Sequence, residues 1–416
     1  MDRNGSASLA AIALLVVVSH GADFALAQPA DDSGIVEIHE AAAPLDTHAD
    51  VLVNTTADIY RTDDGESQLT VAKLVAGGMA TQVLAVQSPN GPFTEAGITA
   101  ARAEVDAKIS RVRALVAENS DRLGIAYSSS DIESLRSEGR VAILIGFQNA
   151  FALGRDLSLV EHYIDEGVRV FAFNHAGNNA FADSSRPTVP GEELNSGLSD
   201  IGRQALEVLN NHGVVVDVSQ LTPRALMQTL QLSRAPVIAS HSAVRALVNE
   251  SRNLSDEELD AIAAADGAVC IPPFNTYLAP RPQEFALRLG EIRSRFGLPG
   301  QFEGVLDDSE QLSAADRGAY MGEALAAVPR ATVEDYVDHI DYVASRIGDD
   351  HVCIGTDFDH GAGIIGYRDA SDALNLTRAM VERGYSADRI RKIWSGNFLR
   401  VLRAAEASSE RLLGSR

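Results

Sequence analysis

The sequence predicts an α/β fold, a single (β/α)8 barrel of TIM type, and three observations carry that prediction. Eight short apolar runs of strand type recur along the chain. Longer stretches with apolar residues every three or four positions separate them. Nearly every short run ends in a polar or ionisable residue, as expected of a barrel that presents its chemistry at the C-terminal ends of its strands.

The strand-type runs are Ala43–Asp50, Thr81–Gln87, Val141–Gln148, Val168–His175, Val214–Gln220, Pro236–His241, Ala268–Pro273 and Val352–Asp357. Continuous apolar stretches within them, such as VAILIGF from Val141 and AVCI from Ala268, suit strands buried on both faces of a parallel sheet. Helical spacing fills Ile98–Ala117, Ile201–Asn211, Arg224–Leu232 and Glu257–Ala265. Ser255 with Glu258 makes a capping box at the start of the last of these. The connection from Tyr277 to about Asp335 is too long for one helix, and predicts a helical insertion at about 278–335 over the barrel mouth. Residues 28–42 read as a flexible lead-in, and 43–416 as one barrel domain.

Length and composition agree. The chain has 416 residues, 45% of them hydrophobic, and α/β barrels of that size form one domain. A net charge of −23 repels phosphate backbones and excludes nucleic acid as a partner. Residues 1–27 read as an export signal. Arg3 precedes the apolar run Leu9–Val18, and Ala25-Leu26-Ala27 offers a small-x-small cleavage site. That run is shorter than the roughly 20 residues of a membrane span, so the protein is expected to be periplasmic or secreted, without a membrane span. Cys270 and Cys353, the two cysteines, lie in apolar runs and read as small buried hydrophobes.

The polar run ends supply the candidate site. They bring His48 and Asp50, Gln87, Gln148 with Asn149, His175, Asp217 with Gln220, His241, Asn275 with Tyr277, and Asp357 with Asp359 to one rim. Asp, Asn and Ser at strand ends also cap helices. Three of the ten histidines falling on one rim is a pattern that capping does not explain. His48 and Asp50 are two apart, so on a strand they face the same side and can aim at one ion. Imidazole and carboxylate are both zinc ligands. His360, just beyond the last run, is a further residue able to reach the site.

These residues are recognisable as a set. DTHAD at Asp46–Asp50, FNHAGNNAFADSS from Phe173, APVIASHSAVRAL from Ala235, SRNLSDEEL from Ser251, GTDFDHG from Gly355 and SGNFLRVL from Ser395 resemble the membrane (renal) dipeptidase family, peptidase family M19, a branch of the metal-dependent barrel hydrolases. The resemblance runs from about Leu45 to Ala404. It implies a zinc-dependent dipeptidase that hydrolyses a small peptide by metal-activated water. By resemblance, His48 and Asp50 hold the first metal and His241 belongs to the second. His175 polarises the scissile carbonyl, Arg252 pairs with the substrate's free carboxylate, and Asp357 exchanges protons with water and leaving amine. Relatives often pair as homodimers, and the chain carries no interface signature of its own.

Two positions depart from the family. The bridging glutamate is replaced by Gln148, and a metal-binding histidine by Gln220. Neutral amides cannot offset the four positive charges of two zinc ions in a closed barrel mouth. The expectation is one Zn2+ per chain, where typical relatives hold two. Two other readings accompany the hydrolase. One is a dipeptidase-like protein acting in periplasmic maturation of a peptide siderophore of the pyoverdine type. The other is a non-catalytic peptide-binding protein.

Overall fold

The structure is a computed structural model that describes residues 32–409 apart from 55, 57–59, 63, 188–193 and 300–308. The signal-peptide reading of residues 1–27 lies outside the described residues. Among the described residues there are nine strands: β1 (Leu45–Asp50), β2 (Thr81–Gln87), β3 (Leu123–Ile125), β4 (Val141–Gln148), β5 (Val168–Ala172), β6 (Val215–Asp217), β7 (Ile238–Ala239), β8 (Ala268–Ile271) and β9 (Val352–Ile354). Eight follow one another around the barrel in the order β1-β2-β4-β5-β6-β7-β8-β9, all parallel. The ring is brought nearly to closure by the segment after β9. Asp357 N donates to the His48 carbonyl at 2.8 Å, and Asp50 N to the Phe358 carbonyl at 2.9 Å. The three-residue β3, which pairs with the start of β4 beside the ring, has no counterpart among the eight expected runs.

The expected helices are present at Glu95–Glu118, Asp200–Asn211, Pro223–Leu232 and Asp256–Ala264. The Ser255 capping box forms, with Glu258 N donating to Ser255 Oγ at 3.3 Å and Ser255 N to Glu258 Oε2 at 2.8 Å. The long connection carries helices Asn275–Leu278, Gln283–Arg295 and Ala314–Ala327. The later two meet through Phe296 and Tyr320, whose ring centres are 5.7 Å apart.

Two cores surround the strands. Outward-facing residues such as Ile143, Ile145 and Phe147 pack under the helices. Leu45, Val83, Leu144, Val170, Val215 and Ile238 belong to an inner cluster that continues into Phe398, Val401, Leu402 and Ala405. Those four lie on the last helix, Asn397–Ser408. Its Arg400 donates to the carbonyls of Asp266, Gly267 and Asp350, just before β8 and β9. The helix therefore closes the N-terminal end of the barrel, opposite the polar rim.

Two expectations are corrected. Residues 32–42 are not a flexible lead-in but a helix. Ile35, His39 and Ala42 recur on one face and are buried. His39 is tied to Thr377 Oγ1 at 2.6 Å and to the Gly77 carbonyl at 2.8 Å. Cys270 and Cys353 are not separate thiols. They are register partners on β8 and β9 and form a disulfide.

Candidate functional site

The site is built where strands end and the backbone turns sharply. The regular parts of β5, β6, β7 and β9 stop short of the polar residues, so His175, Gln220, His241 and Asp357 stand on the loops just above. Asn149, Gln220, Asp357 and Asp359 have φ of 74°, 68°, 56° and 60°. Non-glycine residues in the left-handed region cost free energy, and such strain gathers at functional sites.

Asp46 holds the rim together. Its buried carboxylate accepts from His48 N (3.1 Å), Gln82 Nε2 (2.6 Å), Thr356 N (2.7 Å) and Thr356 Oγ1 (2.6 Å). Burial pushes its carboxyl up to about 6 in spite of those four donors. This clamp fastens DTHAD to GTDFD, so His48, Asp50 and Asp357 are placed by shared hydrogen bonds.

His48, Asp50, His241 and Asp357 come together. His48 Nε2 lies 3.8 Å from Asp50 Oδ1 and 4.0 Å from Asp357 Oδ1. Donor atoms of His48, His241 and Asp357 all fall within 4.8 Å of one another. His48 Nε2 and Asp50 Oδ1 are buried without a hydrogen-bond partner. Such orphaned atoms are costly unless something else satisfies them. Two atoms that each sit about 2.0–2.2 Å from one zinc ion are at most about 4.4 Å apart, so the separations of His48 from Asp50 and from Asp357 fit a bound cation.

The tautomer of His241 is prepared as well. Ser240 Oγ donates to Asp217 and lies 2.7 Å from His241 Nδ1. The hydroxyl's hydrogen is committed to the carboxylate, so Nδ1–H donates to Ser240 and Nε2 keeps its lone pair. Burial, then the neighbouring His48 and Arg252, hold His241 well below the usual imidazole range. A neutral imidazole is the form that binds metal. Asp357 moves the other way, raised by burial against the pull of His360 and His48, which suits a proton acceptor.

Gln148 and Gln220 flank His241. Gln148 Nε2 lies 3.4 Å from His241 Nε2. The Gln220 amide is also 3.4 Å from that nitrogen. Its best orientation donates to the His175 carbonyl and accepts from Arg252 Nε, both at 3.3 Å. Gln220 thus ties the histidine loop to the arginine. Arg252 is 2% exposed. It donates from Nη2 to the His241 carbonyl at 3.0 Å, lies 5.4 Å over the Tyr277 ring, and leaves Nη1 without a partner. Tyr277 is buried against Phe274 and forms a wall beneath Arg252.

His175 is kept neutral, burial being the largest cause. His360 reaches further into the site than its position in the sequence suggested. Its Nδ1 is 2.8 Å from Asp50 Oδ2, its Nε2 is 3.2 Å from His175 Nε2, and Tyr60 stacks on it at 5.0 Å. Tyr60 carries no sequence signal, because it comes from the loop between β1 and β2. Asp359 turns away from the cluster and accepts from Ser67 Oγ and Gln68 N. Asp183 organises its own loop by accepting from the backbone N–H groups of Leu194, Asn195 and Gly197.

The family model for membrane dipeptidase, peptidase family M19, matches residues 33–416. The chain is 29% identical to the dipeptidase tcpJ of Claviceps purpurea (strain 20.1), over 83% of this chain and 71% of that one. The structure resembles that of the probable dipeptidase PvdM from Pseudomonas aeruginosa with a TM-score of 0.83 and 35% identity, over 91% of this chain and 99% of that one. It shares its fold with a metallo peptidase from Rhodobacter sphaeroides solved with a phosphinate mimic of the dipeptide L-Ala-D-Ala, at a TM-score of 0.64 and 21% identity, over 87% and 99%. With the barrel, the rim and the family match over nearly the whole described chain in agreement, the chain belongs to the membrane dipeptidase family, peptidase family M19.

Proposed function

We propose that the protein is a metal-dependent dipeptidase that cleaves the peptide bond of short substrates and works with one zinc ion held by His48, Asp50 and His241, with Asp357 beside it. The observation that carries this reading is the pair of buried, partnerless atoms His48 Nε2 and Asp50 Oδ1, 3.8 Å apart, with Asp357 Oδ1 4.0 Å from the histidine. When bound, zinc supplies a Lewis acid and makes water acidic enough to attack near neutral pH.

The chain's own residues do the rest. Arg252 offers Nη1 to the substrate's C-terminal carboxylate, and its buried, stacked guanidinium fixes the length of peptide that fits. Neutral His175 donates an N–H to the scissile carbonyl oxygen as negative charge grows there. Asp357, its carboxyl raised by burial, takes the proton of the attacking water and delivers it to the leaving amine. The single-ion stoichiometry follows from charge. Asp50 and Asp357 balance one dication, and the amides of Gln148 and Gln220 add nothing for a second.

Purified protein supplied with zinc should hydrolyse dipeptides, and Asp357→Asn should lower kcat by at least about a hundredfold. Elemental analysis should return one zinc per chain; two would defeat the single-ion claim. A folded protein without turnover on any dipeptide would defeat the hydrolase reading. We also propose that residues 1–27 direct export, a reading supported by the Cys270–Cys353 disulfide, which suits an oxidising compartment. Mass spectrometry of the mature N-terminus tests it.

A further inference from the structure

We propose that His360 is a positioning residue that fixes the metal ligand Asp50 and the carbonyl-facing His175 at once. The proposal rests on the hydrolase reading for the role of His175. The contacts themselves are independent of it.

The argument starts from what each atom can do. A carboxylate only accepts, so the 2.8 Å contact to Asp50 Oδ2 places a hydrogen on His360 Nδ1. At 3.2 Å its Nε2 and His175 Nε2 share one hydrogen. One imidazole thus sets the direction of Asp50, whose other oxygen faces His48, and the orientation of the His175 ring. Hydrogen bonds of this kind orient metal ligands elsewhere and are worth roughly 10- to 100-fold in affinity or activity.

His360 is itself well held. Tyr60 stacks on the ring with an interplanar angle of 8°. The preceding residue, Asp359, has φ of 60°. Its carboxylate accepts from Ser67 Oγ (2.6 Å) and Gln68 N (2.7 Å), and its N–H donates to Gln68 Oε1 (2.7 Å). Gly361 follows with φ of 92°. The turn that presents His360 is thus pinned just before it. The geometry is that of a strut between the cation ligands and the residue that meets the substrate.

Two variants separate the contacts. His360→Ala removes both. His360→Asn keeps an amide N–H near Asp50 and has no atom that reaches His175. Zinc affinity is measured by competition with a chelator of known affinity, and kcat and KM with a dipeptide. The proposal expects H360A to lose about tenfold or more in both zinc affinity and kcat with little change in KM. It expects H360N to recover zinc affinity but not kcat. H360A binding zinc within about twofold of wild type would overturn it, and so would full recovery of kcat in H360N. If the wild-type protein cleaves no dipeptide, the hydrolase reading fails, and the zinc affinities of the two variants decide this inference alone by the same criterion.

Discussion

Breaking the Cys270–Cys353 bond tests how the barrel is closed. The two cysteines are 83 residues apart in sequence. Cross-linking a loop of that length removes about 15 cal/mol/K of chain entropy from the unfolded state, or about 4.5 kcal/mol at 298 K. With a guanidinium m-value on the order of 5 kcal/mol/M, the unfolding midpoint should fall by about 1 M on reduction. The comparison is between oxidised protein and protein reduced while unfolded and refolded with reductant present. It changes the bond without deleting the buried sulfurs. Cys270→Ala with Cys353→Ala, changed together so that no lone thiol remains, should be destabilised at least as much, because two small voids are added. Alkylation under denaturing, non-reducing conditions followed by mass measurement counts free thiols. Two labelled cysteines in the unreduced protein would refute the disulfide. A midpoint shift below about 0.2 M would refute the entropy argument. Zinc binding at low denaturant should be unchanged, since the bond lies below the rim and touches none of His48, Asp50, His241 or Asp357.

The other expectations concern the site and one structural histidine. Restoring a carboxylate and an imidazole with Gln148→Glu and Gln220→His should raise bound zinc from one to two per chain by elemental analysis, and unchanged stoichiometry would show that charge at these positions does not set the metal count. Arg252→Met should raise KM for dipeptides by about 10- to 100-fold, the worth of a hydrogen bond to a charged group. The same change should matter little for dipeptide amides, and an equal loss on both would remove Arg252 from carboxylate recognition. His339 accepts the Val244 N–H on Nδ1 at 3.1 Å, and burial lowers its pKa from 6.5 to about 4. The unfolded chain binds that proton first, so the stability tied to the neutral ring is complete above about 6.5 and is lost as pH falls toward 4. The gap amounts to about 3 kcal/mol, and His339→Gln should flatten the fall of the urea midpoint between pH 7 and 4.5.

The barrel was legible because its strands are long enough, or apolar enough, to stand out. VAILIGF around Gly146 announces a doubly buried strand, whereas the three residues of β3 are too few to show any period. The helix at 32–42 escaped because much of it is exposed, and its burial depends on Thr377 and Gly77, far away in sequence. The disulfide escaped because the neighbourhood of β8 and β9 is set by ring order, while the helical insertion separates the two strands in the chain. At the site, the i, i+2 spacing of His48 and Asp50 carried real information, since both stand on one strand. The roles of Gln220 and His360 did not show. Gln220 acts through Arg252 and the His175 carbonyl. His360 enters through a left-handed turn at Asp359 that no periodicity reveals.

The last helix has a consequence for how this chain is made. Phe398, Val401, Leu402 and Ala405 fill the bottom of the lumen, and β1 meets the segment following β9. Neither contact can form until all nine described strands have left the ribosome. Synthesis is slow beside local helix formation, so the nascent chain spends its whole time on the ribosome as an unsealed ring. The residues that complete the barrel follow all nine described strands in the chain, and the ring closes only after they arrive.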